Sequence, residues 1–513
     1  VAEQWAHELF IASLLVIVVA TTLPLDISSE DVIHKLFRFF AFDIKEPGFL
    51  DDVIRNVLLF IPLGFSAANL TQTRHSTAKA RFAAVMIVCS GSSIAVEVLQ
   101  LFLPGRISSL ADVISNSFGA FLGFLCYRRW GVTVVGVGST LREKILERNR
   151  GRRLALYFSG YTIVLLLVSI LLQKASIIRG WDPAYTLVLG NEHTADRPWR
   201  GNITDLIIAD RPISEDEVVQ VLSGVNQSGL PATSLLAEYE LKGDGPYRDR
   251  TGHLPELRWE GRNAHAQGEP GVSLAPDHWL QTETPVTLLT RRILQTSEFT
   301  LCVTTESADV NQTGPARIVS VSKDPYNRNF TLGQEGNDLI FRLRTLATGK
   351  NGTGPELVIP NVFSDAVPHR ILITYRGSNF RAYLDSLGNQ YSLEFNPGLT
   401  IFSRLFPATD RIEASTLRST SYRLLYDGLM FTPLGFLLAL GTVGLNRHIV
   451  LQGAIICVGL VLPPVLLETS LAGISRREMK VENIVLDVII TFAAMWLFTR
   501  RSTSPLQAET TGQ

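Results

Sequence analysis

Eight apolar runs of membrane-span length leave this chain little choice of architecture. In lipid only helices and closed barrels satisfy every backbone group, and apolar runs of about 17–25 residues are helix length. They fall at about 9–25, 53–70, 82–103, 109–127, 154–173, 424–444, 448–470 and 482–499. Between the fifth and sixth lies a long polar stretch. A mean hydropathy of +0.19 with 46% hydrophobic residues is therefore the average of an apolar part and a polar one. At 513 residues the chain exceeds one ordinary domain. The net charge of −1 points to no class of partner, and a nucleic-acid reading has no basic domain to stand on.

Basic residues orient the spans. Arg74, Lys79 and Arg81 lie between the second and third runs, and eight Arg or Lys occupy 128–153. Arg447, Arg500 and Arg501 complete the set. All fall on one side when both termini are cytoplasmic, which puts the polar middle on the opposite side. The stretch before the first run carries Glu3 and Glu8 and no Lys or Arg. A secretory signal has a basic start, so this run reads as a retained helix.

The apolar ends carry an internal repeat. NVLLFIPLGF around Pro62 answers to DGLMFTPLGF around Pro433, 371 residues on. The same offset carries Glu97 onto Glu468, Arg106 onto Arg477, Asp112 onto Asn483 and Asn116 onto Asp487. Spans one to four and five to eight thus read as two parallel four-span repeats. The second is diverged, with Leu471 in place of Gln100 and Ile490 in place of Gly119.

From about Gly180 to Phe402 the apolar period becomes two, as in Asp205-Leu206-Ile207-Ile208 and Phe299-Thr300-Leu301-Cys302-Val303. Many short strands between turn clusters indicate a β-sandwich. Cys302 stands alone in this region, while Cys89, Cys126 and Cys457 lie in apolar runs, so no internal disulfide forms there. No cysteine pair has metal-ligand spacing. Asp205, Asp244 and Asp385 are the loop aspartates a calcium ion could use, though such residues more often form turns. No other cofactor is indicated.

Two family resemblances can be read from these motifs. Asn56…Phe60-Ile61-Pro62-Leu63-Gly64-Phe65, Glu97-x-x-Gln100, Pro104-Gly105-Arg106 and Asp112-x-x-x-Asn116-x-x-Gly119 resemble the VanZ-like family. That resemblance implies a bacterial inner-membrane protein associated with glycopeptide (teicoplanin) resistance, and carries no chemistry with it. Trp199-Arg200-Gly201-Asn202-Ile203 with Asp205 to Ile208, Ile213-Ser214 and Glu217-Val218 resembles the closing strand of a laminin-G or concanavalin A-like domain. Here that motif comes first, so a circular permutation is expected. The fold serves lectins and glucanases alike. No ExDxxE-type strand is present, and Glu238 and Glu240, which share a face, begin the sandwich as edge polar residues, which favours glycan binding or adhesion over hydrolysis.

The expected fold is a two-part α + β chain, a polytopic helical bundle with an inserted all-β jelly-roll-type sandwich. Its parts are a first membrane half (1–130), a basic cytoplasmic loop (131–153) and a fifth span (154–180). Then come the extracytoplasmic sandwich (181–402), a second membrane half of three spans (421–501) and a polar tail (502–513).

Ionisable groups inside apolar spans lean functional. Asn56, Glu97, Gln100, Arg106, Asp112 and Asn116, with Asp427, Glu468, Arg477, Asn483 and Asp487, form the candidate ligand site. All lie toward the outer ends of their spans, with Glu97 about six residues from its end, or about 9 Å deep at 1.5 Å per residue. In one reading Arg106 and Arg477 clamp an anionic group of an envelope ligand, a lipid-linked cell-wall precursor or a glycan. In a second, Glu97, Arg106 and Asp112 are catalytic groups acting on a lipid-linked or phosphorylated substrate. In a third there is no chemistry and the protein is a scaffold or adhesion protein. The weight leans away from an enzyme. Against all three stands a structural reading in which Glu97–Arg106 and Asp112–Asn116 simply tie helices together.

Overall fold

The computed structural model describes residues 49–503 apart from 73–76, 104–107, 147–149, 224–230, 232, 262–270, 406–410 and 443–448, with scattered positions before residue 49. Arg106, Arg74 and Arg447 lie outside the described residues. The chain divides into two compact units, Val1–Leu156 and Tyr157–Gln513.

The first unit is helical. Helix α1 (Phe49–Leu70) contains Pro62, α2 spans Ala78–Gln100 and α3 runs over Leu110–Leu146. Thr77 starts α2 by accepting the N–H of Ala80 at 3.2 Å. Helices α1 and α3 meet backbone to backbone. A Cβ on Gly64 would collide with the carbonyl of Ala120, and one on Gly119 with that of Val57. Small residues permit this approach, which in lipid is a main source of helix association. The apolar core between the helices holds Phe60, Leu63, Val85, Cys89, Val96 and Ala120.

Two expectations need correction here. The stretch read as a basic loop from residue 128 continues α3 to Leu146, because no proline or adjacent glycines interrupt it. Only Leu110–Gly131 is apolar enough to span. Helix α2 stops at Gln100, so Glu97 sits in its last turn instead of six residues from its end. Among the described residues seven helices are long and apolar enough to cross a membrane. The first apolar run shows a shorter helix, Leu9–Val18. Most of residues 19–48 lie outside the described ones.

The second unit joins helices and sheets. It opens with α4 (Arg150–Ala175), which begins just before the unit boundary. Strands β1 (Thr186–Leu189), β2 (Gly201–Ala209), β3 (Leu235–Glu240), β4 (Leu257–Gly261), β5 (Val272–Leu274) and β6 (His278–Thr282) come next. Then come β7 (Glu298–Ser307), β8 (Ala316–Asp324), β9 (Asn327–Glu335), β10 (Asp338–Leu343) and β11 (Glu356–Ile359). The last are β12 (His369–Arg376), β13 (Asn379–Leu384), β14 (Ser386–Glu394) and β15 (Arg411–Glu413). Helices α5 (Glu215–Ser223), α6 (Thr287–Thr296) and α7 (Pro397–Leu405) punctuate the strands. The unit closes with α8 (Thr416–Thr442), α9 (Ile449–Ser475) and α10 (Val481–Thr503).

An eight-stranded sheet in the order β15-β11-β10-β9-β8-β1-β6-β4 faces a sheet ordered β14-β13-β12-β7-β2-β3, with β5 also on β2. The alternation in β7 shows how the sequence builds them. Phe299, Leu301 and Val303 enter the core between the sheets with Trp199, Phe330 and Phe341. Cys302 points the other way, into a second cluster where Val218 and Val221 of α5 cover the outer face. The first two strands in the chain, β1 and β2, sit inside their sheets and not at the edges. The domain also ends later than residue 402. Strand β15 adds in parallel to β11, and three residues are too few to show a period.

Candidate functional site

In the first unit the polar groups stitch the three helices together. Asn56 of α1 donates to Asp112 Oδ1 of α3 at 2.6 Å, and Asn116 of α3 donates to Ser93 Oγ of α2 at 2.9 Å. Glu97, which is buried, accepts the backbone N–H of Ser109 at 3.0 Å on Oε2. Gln100 donates to the carbonyl of Thr21 at 3.0 Å. The expected Asp112–Asn116 tie does not form. Those side chains bond to different helices, because residues four apart share one helix face but can each reach a different neighbour. The expected Glu97–Arg106 tie involves a residue outside the described ones.

This cluster keeps unused hydrogen-bonding capacity. Among the described residues Glu97 receives one donor on its carboxylate. The buried Oδ1 of Asn116 receives none. A buried acceptor without a donor costs about 1–3 kcal/mol, so either water or a ligand is expected to supply it.

The repeat-related cluster in the second unit has the same skeleton. Glu468 accepts the N–H of Lys480 at 2.8 Å, twelve residues on, as Glu97 accepts that of Ser109. A Cβ on Gly435 would collide with the carbonyl of Thr491, the repeat partner of Ala120. Offset by 371, Asn56 falls on Asp427. The acid and amide of that pair have therefore traded places, just as Asp112 and Asn116 trade with Asn483 and Asp487.

Here, however, the glutamate is saturated. Glu468 is fully buried and receives Arg477 through both Nη1 and Nη2, the latter at 3.2 Å. It also accepts Arg423 Nη2 at 3.3 Å and Asn483 Nδ2 at 3.1 Å. Arg423 donates its Nε to Asp427 at 3.1 Å. Asp487 is buried beside Asp427, and among the described residues neither of its carboxylate oxygens receives a donor. Its repeat partner Asn116 has Ser93 to bond; the residue at Ser93's repeat position is Pro464.

A residue of the sandwich completes this cluster. Glu394, the last of β14, pairs with Arg477 Nε at 3.0 Å and Lys480 Nζ at 2.8 Å. Burial alone would raise its carboxyl, but Arg477 and Lys480 outweigh that and hold it below the ordinary 4.5. Neighbouring contacts fasten the same face. Ser378 donates to Ser475 Oγ at 2.8 Å, Arg476 to the carbonyl of Thr296 at 3.0 Å, and Asn396 to that of Ser419 at 2.7 Å. Gly377, at φ +63°, lies so close to Ser475 that a side chain would strike its carbonyl. The space beside Asp427, Arg423 and Arg477 is about 10 Å³, room for at most one water.

Arg423, Lys480 and Glu394 were not expected from the sequence. Arg423 precedes its apolar run, yet it occupies the repeat position of Asp52, a charge reversal the offset displays. For Glu394 there was no local signal.

The sandwich aspartates do not converge on a metal. Asp205 accepts from Thr304 at 3.0 Å and Arg370 Nη1 at 3.2 Å, and Asp385 from His369 Nδ1 at 2.7 Å. Asp244 offers its backbone carbonyl to Trp259. No group of three or more His, Cys, Asp or Glu among the described residues could hold a metal ion. A separate buried pair, Glu192 and Arg317 at 3.1 Å, lies at the eight-stranded sheet. Burial there pushes the Arg317 guanidinium down to about 10.

These features define a multi-pass membrane protein with a β-sandwich between its helical parts. The family model described as VanZ/LLP1 matches residues 10–132, so the N-terminal helical region is similar to that family. No curated protein and no solved structure matches the chain.

Proposed function

We propose that this VanZ-family membrane protein binds a cell-envelope ligand, a lipid-linked wall precursor or glycan, through the polar cluster of its first helical repeat. The observation that supports it is that, among the described residues, Glu97 receives one donor and the buried Asn116 Oδ1 none. Both are acceptors, so they suit a head group rich in hydroxyl and amide donors, with its lipid tail against the apolar helix faces. Arg106 lies nine residues after Glu97 in the sequence and is the cation we assign to an anionic part of the same ligand. On this reading Asp427, Glu468, Arg477, Asn483 and Asp487 hold the sandwich in place and do not clamp this ligand, since Arg477 is already committed to Glu468 and Glu394. The sandwich, on its laminin-G resemblance, is the glycan-facing part, placed on the extracytoplasmic side of the inner membrane. A role in glycopeptide tolerance rests on the family association.

The test is binding of an undecaprenyl-linked disaccharide-pentapeptide to full-length protein in nanodiscs, beside Asn116→Leu and Arg106→Ala. Weakened binding in both variants, in protein with unchanged thermal unfolding, supports the reading. Unchanged binding assigns the cluster to helix packing. Conversion of the precursor by the wild-type protein, lost in Glu97→Gln, would establish an enzyme instead.

A further inference from the structure

The sandwich and the helices of the second unit enclose a polar cavity of about 170 Å³, far above the roughly 10–15 Å³ that admits one water. Strands β13 and β14 form one wall, and the starts of α8 and α10 form the other. Its charged lining is Arg381, Arg423 and Lys480 against the single carboxylate of Glu394, with the amides of Asn379 and Asn483 between them. Arg423 is committed to Asp427 and Glu468. Arg381 is different. It is exposed on β13 and has no hydrogen bond or ion pair through its side chain among the described residues. Lys480 is half exposed and directs its ammonium to Glu394, leaving donors to spare.

We propose that this cavity binds a phosphate ester. Arginine's planar fork matches phosphate oxygens two at a time, a lysine adds a point charge, and side-chain amides complete such a shell. The position suggests how the ligand arrives. The cavity opens where the spans Ser419–Gly441 and Val481–Thr499 meet the sandwich, which is head-group level for a chain in a bilayer. Leu424 and Leu486 line its helix wall, and Leu424 is exposed. A phosphate carried on a lipid can enter with its chains along these leucines. A soluble phosphate can enter from the water side. The inference concerns a different place from the first-repeat cluster and does not depend on that cluster's ligand.

Full-length protein in dodecyl maltoside would be titrated with dioctanoyl-phosphatidylglycerol, dioctanoylglycerol and inorganic phosphate, with bound species counted by native mass spectrometry. Phosphatidylglycerol is expected to bind and dioctanoylglycerol not. Arg381→Gln should weaken that binding about tenfold, the size of one lost charge-assisted contact. Arg258→Gln, a distant exposed arginine on β4, should leave it unchanged. Phosphatidylglycerol binding that inorganic phosphate does not displace at equal concentration assigns the site to lipid. Equal binding of inorganic phosphate, with the same loss in Arg381→Gln, assigns it to a soluble phosphate. Equal binding of the two lipids, or binding unaffected by Arg381→Gln and by Lys480→Gln, overturns the proposal.

Discussion

In the first helical repeat Glu97 takes one donor among the described residues, the N–H of Ser109. In the second, Glu468 takes the equivalent N–H of Lys480 and side-chain donors from Arg477, Arg423 and Asn483 besides. Around these glutamates the backbones agree: Gly64 lies against Ala120 as Gly435 lies against Thr491. The shared skeleton shows that the seam and the glutamate anchor belong to the fold, while among the described residues the groups around the anchor differ between the repeats. In the second repeat they carry a mount, with the sandwich's own Glu394 on Arg477.

The largest expected effect breaks this comparison at its centre. Glu468→Ala leaves Arg477 and Arg423 buried without their shared partner, and losing one side of a buried ion pair costs about 3–5 kcal/mol. Glu97→Ala removes one hydrogen bond and should cost about 1 kcal/mol. Thermal unfolding of the two variants in one detergent measures the gap, and equal losses would deny the difference in saturation.

Next come the seam glycines. Gly64→Ala and Gly435→Ala should each cost about 1–3 kcal/mol by forcing backbones apart. Their effects should be alike, since both meet a carbonyl at repeat-related positions. A loss in one alone would mean that the repeats do not share their packing.

Acid should loosen the mount before the rest of the structure. Glu394 is held below 4.5 in the folded protein. The stability it contributes is therefore complete above 4.5 and is lost as pH falls through its lowered value. Hydrogen exchange in β14 should rise over that interval in the wild type, and Glu394→Gln should remove the pH dependence.

The smallest effect lies in the sandwich, away from both repeats. Burial opposes a charge on His369, but hydrogen bonds to Asp385 and Asp365 outweigh it and raise the imidazole above 6.5. Its contribution is full below 6.5 and fades as pH rises through the raised value. Sandwich unfolding should shift slightly downward over that range, and His369→Gln should flatten the shift.

Much of this architecture was legible in the sequence. Span length, the Pro-Leu-Gly-Phe repeat and the period-two strands are local patterns, and physics acts on them locally. Domain edges were less so. Residues 128–146 read as part of a loop because of their basic residues, yet nothing in them stops a helix. Strand β15 is held by pairing with β11, not by a pattern of its own. In the site, Glu97, Asn56, Asp112 and Asn116 were visible as polar residues in apolar spans. Their bonding partners were not, because Asp112 chose Asn56 across the seam over Asn116 along its own helix. Glu394 was beyond reach, being an ordinary strand-end glutamate until folding sets it on Arg477.

The most direct test is to compare two conservative variants for affinity toward the undecaprenyl-linked precursor, Glu97→Gln in the first repeat and Glu394→Gln at the mount. A ligand site at the Glu97–Asn116 cluster, with Arg477 of the second repeat committed to Glu468 and Glu394, predicts that binding falls in Glu97→Gln and holds in Glu394→Gln. Binding that holds in Glu97→Gln and falls in Glu394→Gln would place the ligand at the second repeat and contradict the account.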